Sequence, residues 1–417
     1  MPTTMFSNRK TETLSRAAAA AAGAIPRGKV SNNHRSAVTS HSGFFVTLLL
    51  LLWCGATIAA PYTPDGDDVV LARLPALPET LANPAPVADP ADVLALARSQ
   101  IDYASHAEDP RFLGYAHATL VPLIQDGFSP AAELLMARIE QHRHQFARAR
   151  HRLNQLLDRF PNQGQAWLML ANIERVQGRL DAARQACRES AVTLPPTTVV
   201  LCQASVQAIT HQRDKAYATL QALAEGPAAP QGDSARWLTT LLTEIALQQG
   251  DTDAAMSHLQ DALQQAPQDP YLRYLQSDLW LTRDQSRSVI DDLSGWQDRD
   301  GALLRLAIAG QRLDHPRAEI WREQYRARMA ADRDTGRERH LREHARFLLE
   351  VEDNPEGALA LARENWRQQR ELADLRILNA SARAIGDQDT HDQIRDFIHQ
   401  HQIIDSQIPD AAKGAAE

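Results

Sequence analysis

The chain of 417 residues is 44% hydrophobic and 23% charged, enough apolar side chain for a large core, and its formal net charge of −8 leaves no basic excess for nucleic acid. Aromatic residues make up only 6% while alanine and leucine abound, which favours helix throughout. Beyond the first sixty positions the only lysines are Lys215 and Lys413; the other basic residues are arginine, a bias of composition rather than mechanism.

Residues 1–59 read as a targeting segment. Arg9, Lys10, Arg16, Arg27, Lys29 and Arg35 form a basic leader, Phe44 to Ala60 is an unbroken apolar run, and Thr57 and Ala59 bracket a cleavage site. As a helix this run reaches roughly 25 Å against a hydrocarbon core of roughly 30 Å, so cleavage near Ala59 is favoured over an uncleaved membrane anchor at Phe44–Ala60. Trp53 is too bulky to precede a lipidated cysteine, which argues against Cys54. Cleavage predicts a periplasmic or secreted chain, more acidic than the precursor and without a stable membrane span.

Residues 60–90 carry Pro61, Pro64, Pro75, Pro78, Pro84, Pro86 and Pro90, the pattern of a semi-rigid linker. Helical patterning begins at Ala91. Val93 to Tyr103 and Phe112 to Ile124, separated by Asp109-Pro110, read as a helical hairpin.

The clearest pattern runs from Ala166 to Pro195. Trp167, Leu170, Ala171 and Glu174 share one side of a first helix, Gly178 stops it, and Asp181 opens a second in which Ala183, Cys187 and Ser190 recur at three- and four-residue spacing. Small side chains there let two antiparallel helices approach closely, and Pro195 marks the next turn. The marks Trp167, Leu170, Ala171, Gly178, Ala183, Cys187 and Pro195 resemble the tetratricopeptide repeat (TPR), a helix-turn-helix of about 34 residues. Glu174 stands where the family pattern has tyrosine, and Ser190 where it has alanine. Residues 131–163 form a second copy, with Met136, Ala137, Phe146, Ala149, Leu153 and Leu156 leading to Pro161. Residues 236–269 form a third, with Trp237, Leu242, Gly250, Ala255, Leu259 and Ala262 leading to Pro267. Residues 197–229 keep the length and two apolar stripes but lose most of the signature.

The expected fold is therefore all-α: a TPR-like, right-handed superhelical solenoid with an array over 91–300, divergent helical repeats over 301–404, and a disordered tail over 405–417. The resemblance implies a scaffold whose first helices line a concave groove for a protein or peptide partner. On this chain that groove would present Arg138, Gln141 and His142, then Leu168, Asn172 and Arg175, then Trp237, Glu244 and Gln248.

Two histidine clusters set up the alternative of a metal-binding protein or metal-dependent enzyme. His340, Glu343 and His344 fit an H-x-x-E-H spacing, but Arg339, Arg342 and Arg346 crowd it with charge that opposes a dication. His142, His144 and His151 straddle a helix end and lack a thiol or carboxylate at ligand spacing. Nucleophile elbows, phosphate-cradling loops and dinucleotide fingerprints are missing from the sequence, so neither a cofactor nor enzymatic activity is expected. Cys187 and Cys202, the thiols that remain after cleavage, lie on helices expected to be antiparallel neighbours, and an oxidising compartment would pair them. N-terminal sequencing of protein from its native host should find a mature chain beginning around Ala60; a mature N-terminus before Phe44 would rule cleavage out.

Overall fold

The short segment Glu79–Ala82 (α1) leads into nine helix pairs among the described residues. They are Pro90–Ala107 with Arg111–Gln125 (α2, α3), Pro130–His142 with Phe146–Arg159 (α4, α5), Gly164–Val176 with Leu180–Glu189 (α6, α7), Pro196–Gln207 with Arg213–Glu225 (α8, α9), and Asp233–Gln249 with Thr252–Gln265 (α10, α11). Then follow Pro270–Thr282 with Ser286–Leu293 (α12, α13), Asp300–Arg312 with Ala318–Asp334 (α14, α15), Leu341–Glu350 with Pro355–Trp366 (α16, α17), and Leu372–Ile385 with Gln388–His401 (α18, α19). This computed structural model describes residues 77–85, 87, 89–334 and 340–408, all within one unit that starts at Val70. The leader, the apolar run and most of the expected linker lie outside the described residues.

The pairs start and turn by a common chemistry. Pro occupies the first helical position of α2, α4, α12 and α17, where its missing N–H costs no bond, and the preceding Asp89, Ser129, Asp269 and Asn354 side chains accept from backbone N–H groups of the first turn. Between the two helices of every pair but α8–α9 the chain passes through the left-handed region. Gly178, Gly250 and Gly386 do so at φ of 73°, 81° and 70°, whereas Glu108, His144, Asp284, Asp314 and Asp353 take the same place at φ of 47–57°. These residues recur at about 34-residue intervals through pairs whose sequence lacks a recognisable repeat.

Five residues past the turn comes a small residue buried where the helices cross: Ala149, Ala183, Ala255 and Ala358 are 0% exposed. In α14 and α15 the sizes are exchanged. Trp321 is fully buried there, and Gly310 opposite makes room, since a Cβ on Gly310 would lie 2.9 Å from Trp321 Cε3 and 3.2 Å from the Ala318 backbone.

The array closes on itself. One apolar cluster joins Ala137 through Ile209 to Ala345 through Ile408, so the last helices share a core with α4 to α8. The N–H of Arg370, in the α17–α18 connection, donates to Val176 O at 2.7 Å, and Ser406 N donates to Gln248 O at 2.9 Å. At the other end, Tyr274 Oη donates to Glu108 Oε2 at 2.6 Å. The C-terminal helices thus run along the turns that end α4, α6, α8 and α10.

Two expected boundaries move. The segment predicted as a linker holds α1, where Leu77 and Leu81 pack on the first core and Leu81 O accepts from Gln100 Nε2 at 2.9 Å. The expected tail begins with an anchored stretch: Ile403, Asp405 and Ile408 are buried, and Asp405 accepts from Arg376 Nη2 at 2.7 Å. Proline content suggested a semi-rigid linker and terminal position a disordered tail, but Leu77 and Leu81 in the first and Ile408 in the second seat the backbone on the core. Residues 409–417 lie outside the described set.

Cys187 on α7 and Cys202 on α8 form a disulfide across adjacent pairs, with Cα atoms 5.6 Å apart and a sequence separation of 15. Its removal by Cys187→Ala with Cys202→Ala should lower stability by about 3 kcal/mol, read from chemical denaturation. Gly310→Ala should destabilise by about 1–2 kcal/mol despite the better helix propensity of alanine, because the indole and backbone it meets are fixed on three sides; a raised melting temperature would contradict this packing account.

Candidate partner-binding interior

The residues expected to line a groove fall into three environments. Gln141 is half-buried and His142 exposed at the end of α4, while Arg138 is tied to Asp102 of α2 at 2.7 Å. On α6, Leu168 packs against the core, and Arg175 Nη2 bonds Asn172 Oδ1 at 3.1 Å and Glu371 of α18's N-terminal edge at 2.9 Å. On α10, Trp237 packs between two apolar clusters, and Glu244 accepts from Tyr271 Oη. Gln248 is 3% exposed and hence core rather than groove; its side-chain Oε1 is buried without a partner while its backbone oxygen holds Ser406. Arg175 and Gln248 therefore face the chain's own C-terminal region.

A charged centre that the sequence reading missed joins these helices. Arg342 of α16 bonds Glu343 at 2.9 Å, approaches Asp374 at 3.3 Å, and lies 3.8 Å from Glu371. Nearby, Asp278 of α12 accepts from Arg305 at 2.5 Å and from Arg346 at 2.6 Å, and these guanidinium groups overcome burial to hold its carboxyl below the usual range. Burial pushes Asp374 up to about 6, partly offset by Arg342, whereas at Glu343 burial is outweighed by Arg342 and His340, which bring it down to about 2. Arg342 belongs to both carboxylates, and the directions reflect its closer contact with Glu343.

Tyr271 exposes 52% of its surface, yet burial followed by the Glu244 charge raises its hydroxyl well above 10. Glu244 is raised by burial as well, with the tyrosine hydrogen bond opposing it. Burial, then the charge of Arg138, lowers His142 to about 4. Tyr271 follows Pro270 at the start of a first helix, a place that alignment to the clear repeats would have offered. Glu371 and Arg342 carry no local signal.

The histidine clusters do not assemble. His344 is 6% exposed, edge-on to Tyr325 and 3.7 Å from Asp332, while His340 precedes α16 at the surface and Glu343 is engaged by Arg342. His144 takes the left-handed turn and stacks on Phe146, His142 lies 3.5 Å from Ser105 Oγ, and His151 is exposed on α5. Among the described residues no three His, Cys, Asp or Glu side chains converge as a metal site. A turn separates the members of one cluster, and burial turns the members of the other apart. Nor is any described helix long and apolar enough to cross a membrane.

Residues 134–196 match the tetratricopeptide-repeat family model, which covers α5 to α7 and most of α4. This stretch is thus tetratricopeptide-repeat sequence, of a family whose members are in general non-catalytic scaffolds. No curated protein sequence matches it. Similar solved structures include a TPR protein of Thermus thermophilus, at 22% identity over 44% of this chain and 99% of that one, with a TM-score of 0.37. Another is PilW, a type IV pilus biogenesis factor, at 15% identity over 49% of this chain and 96% of that one, with a TM-score of 0.39. A third, from Parabacteroides merdae, has 10% identity over 70% and 98% of the two chains, and a TM-score of 0.35.

The buried histidine makes a pH prediction. Burial, then the charge of His340, lowers His344 to about 4. Between that value and an unfolded value of about 6.5 the unfolded chain binds the extra proton, so stability present at pH 7 is lost as pH falls through this window. His344→Gln should shrink the difference in unfolding free energy between pH 7 and pH 4 by up to about 3 kcal/mol. An unchanged difference would place the acid sensitivity elsewhere.

Proposed function

We propose that the protein is an exported scaffold that holds a protein or peptide segment against the part of its concave wall left uncovered by its own C-terminal helices. The observation that carries this reading is the half-exposed Tyr271, which shares a central space with Glu244, Arg175 and Glu371 while neighbouring groove positions are filled. Donors and acceptors held in a wall of reduced dielectric suit recognition of a peptide backbone and its charged side chains. Export is supported by the basic leader and apolar run, and by a disulfide of the kind oxidising compartments maintain.

The wall carries paired charges of both signs. Arg175, Arg342 and Arg376 stand among Glu244, Glu371, Asp374 and Asp405, so a partner must exchange existing pairs for its own. Such exchange favours partners with both charges and makes binding sensitive to salt.

A photo-crosslinking residue placed in turn at Gln141, His142 and Tyr271 should capture the same partner in the native envelope. The exposed position Arg148 on α5 should not. Equal capture from Arg148, or none from the three interior positions, would overturn the assignment of the concave wall.

A further inference from the structure

Helix α12 has two chemically distinct faces. Tyr271, Tyr274 and Asp278, at three- and four-residue spacing, turn toward the charged centre. Arg273, Gln276 and Trp280 are offset from them by two residues, about half a helical turn at 100° per residue, and so lie on the opposite side. There they line a cleft of about 460 Å³ with Gln260 and Gln264 of α11 and Asp292 of α13. Its walls include the second helices of two successive pairs, on the side of α12 opposite Tyr271.

The lining has an unusual composition. The Gln260, Gln264 and Gln276 amides have no protein hydrogen bond among the described residues, and each offers both a donor and an acceptor. Gln260 and Gln264 stand one turn apart on exposed helix surface. Trp280 supplies a half-buried aromatic plane. Asp292 accepts from Arg273 through Oδ1, while its Oδ2 is buried and has no partner. The two charges cancel, and Leu263 and Pro267 add aliphatic surface beside the indole.

We infer that this cleft is a carbohydrate-binding site that takes a short stretch of a glycan chain. A sugar ring presents an apolar C–H face that fits an indole, and a rim of vicinal hydroxyls that donate and accept at once. Side-chain amides in pairs match such hydroxyls two at a time. The cleft's size falls in the range of small-ligand sites. A peptide would call for a longer groove or an apolar pocket for an anchor side chain, and a phosphorylated ligand for an unpaired cation. Arg273 is already held by Asp292 and by Pro267 O at 2.9 Å. The scaffold would then hold a protein on its concave side and a saccharide on the side of α12 opposite Tyr271, at sites independent of each other.

The test uses the full chain, screened on a glycan array and then titrated with chitopentaose and cellopentaose while tryptophan fluorescence is followed. We expect saturable binding by at least one saccharide class, with the fluorescence change lost in Trp280→Phe. The triple substitution Gln260→Ala, Gln264→Ala, Gln276→Ala changes exposed or half-buried side chains without protein hydrogen bonds, so its melting curve should match the parent while its Kd rises about tenfold or more. Unchanged affinity in the folded triple variant overturns the assignment, as does the lack of any array response at millimolar concentration. A peptide-array signal that the triple variant abolishes, with no saccharide signal, would reassign the cleft to peptides and overturn it equally.

Discussion

The reversal between the two helices of each pair is the constraint on which the rest of this molecule depends. Two antiparallel helices can touch closely only if the chain turns within a few residues, and in eight of the nine pairs that turn uses one residue in the left-handed region. Glycine meets the demand without strain at Gly178, Gly250 and Gly386. Aspartate and histidine meet it at modest cost elsewhere, since their short polar side chains tolerate that conformation. Once the turn is set, the residue five positions on lies at the crossing, and a buried alanine there fixes how near the helices come.

This accounts for what could be read from the sequence. The pairs at 131–163, 164–197 and 236–269 were legible because Phe146, Gly178, Gly250 and the crossing alanines fall on the family marks. The later pairs blurred because Asp284, Asp314 and Asp353 occupy the glycine position and resemble ordinary surface residues. In one pair the crossing is further disguised by the exchange of Trp321 for a small residue and Gly310 for a larger one. The repeat period survived in backbone geometry where it had been lost in side chains.

The groove was legible only in part, for a different reason. Placing Arg138, Asn172, Arg175 and Glu244 on first helices follows from the repeat. Knowing what faces them requires the superhelix to be followed until distant pairs meet. Arg175 meets Glu371, and Gln248 O meets Ser406 N, across separations of well over a hundred residues that no local pattern encodes. Burial then sets the electrostatics: Arg342 serves several carboxylates at once, so the charges at this centre are interdependent and their contributions will not add.

A simple solenoid can form progressively, each pair resting on the one before. This one cannot finish that way. The cluster holding Ala149, Ala166 and Leu180 also holds Leu375, Phe397 and Ile408, so early helices leave a ribosome or a translocation pore with part of their apolar surface waiting for residues that emerge last. Contacts of such range slow folding and lengthen the exposure of sticky intermediates. Loss of a few residues before Ile408 should therefore be felt at the centre of the array, because the same core holds both.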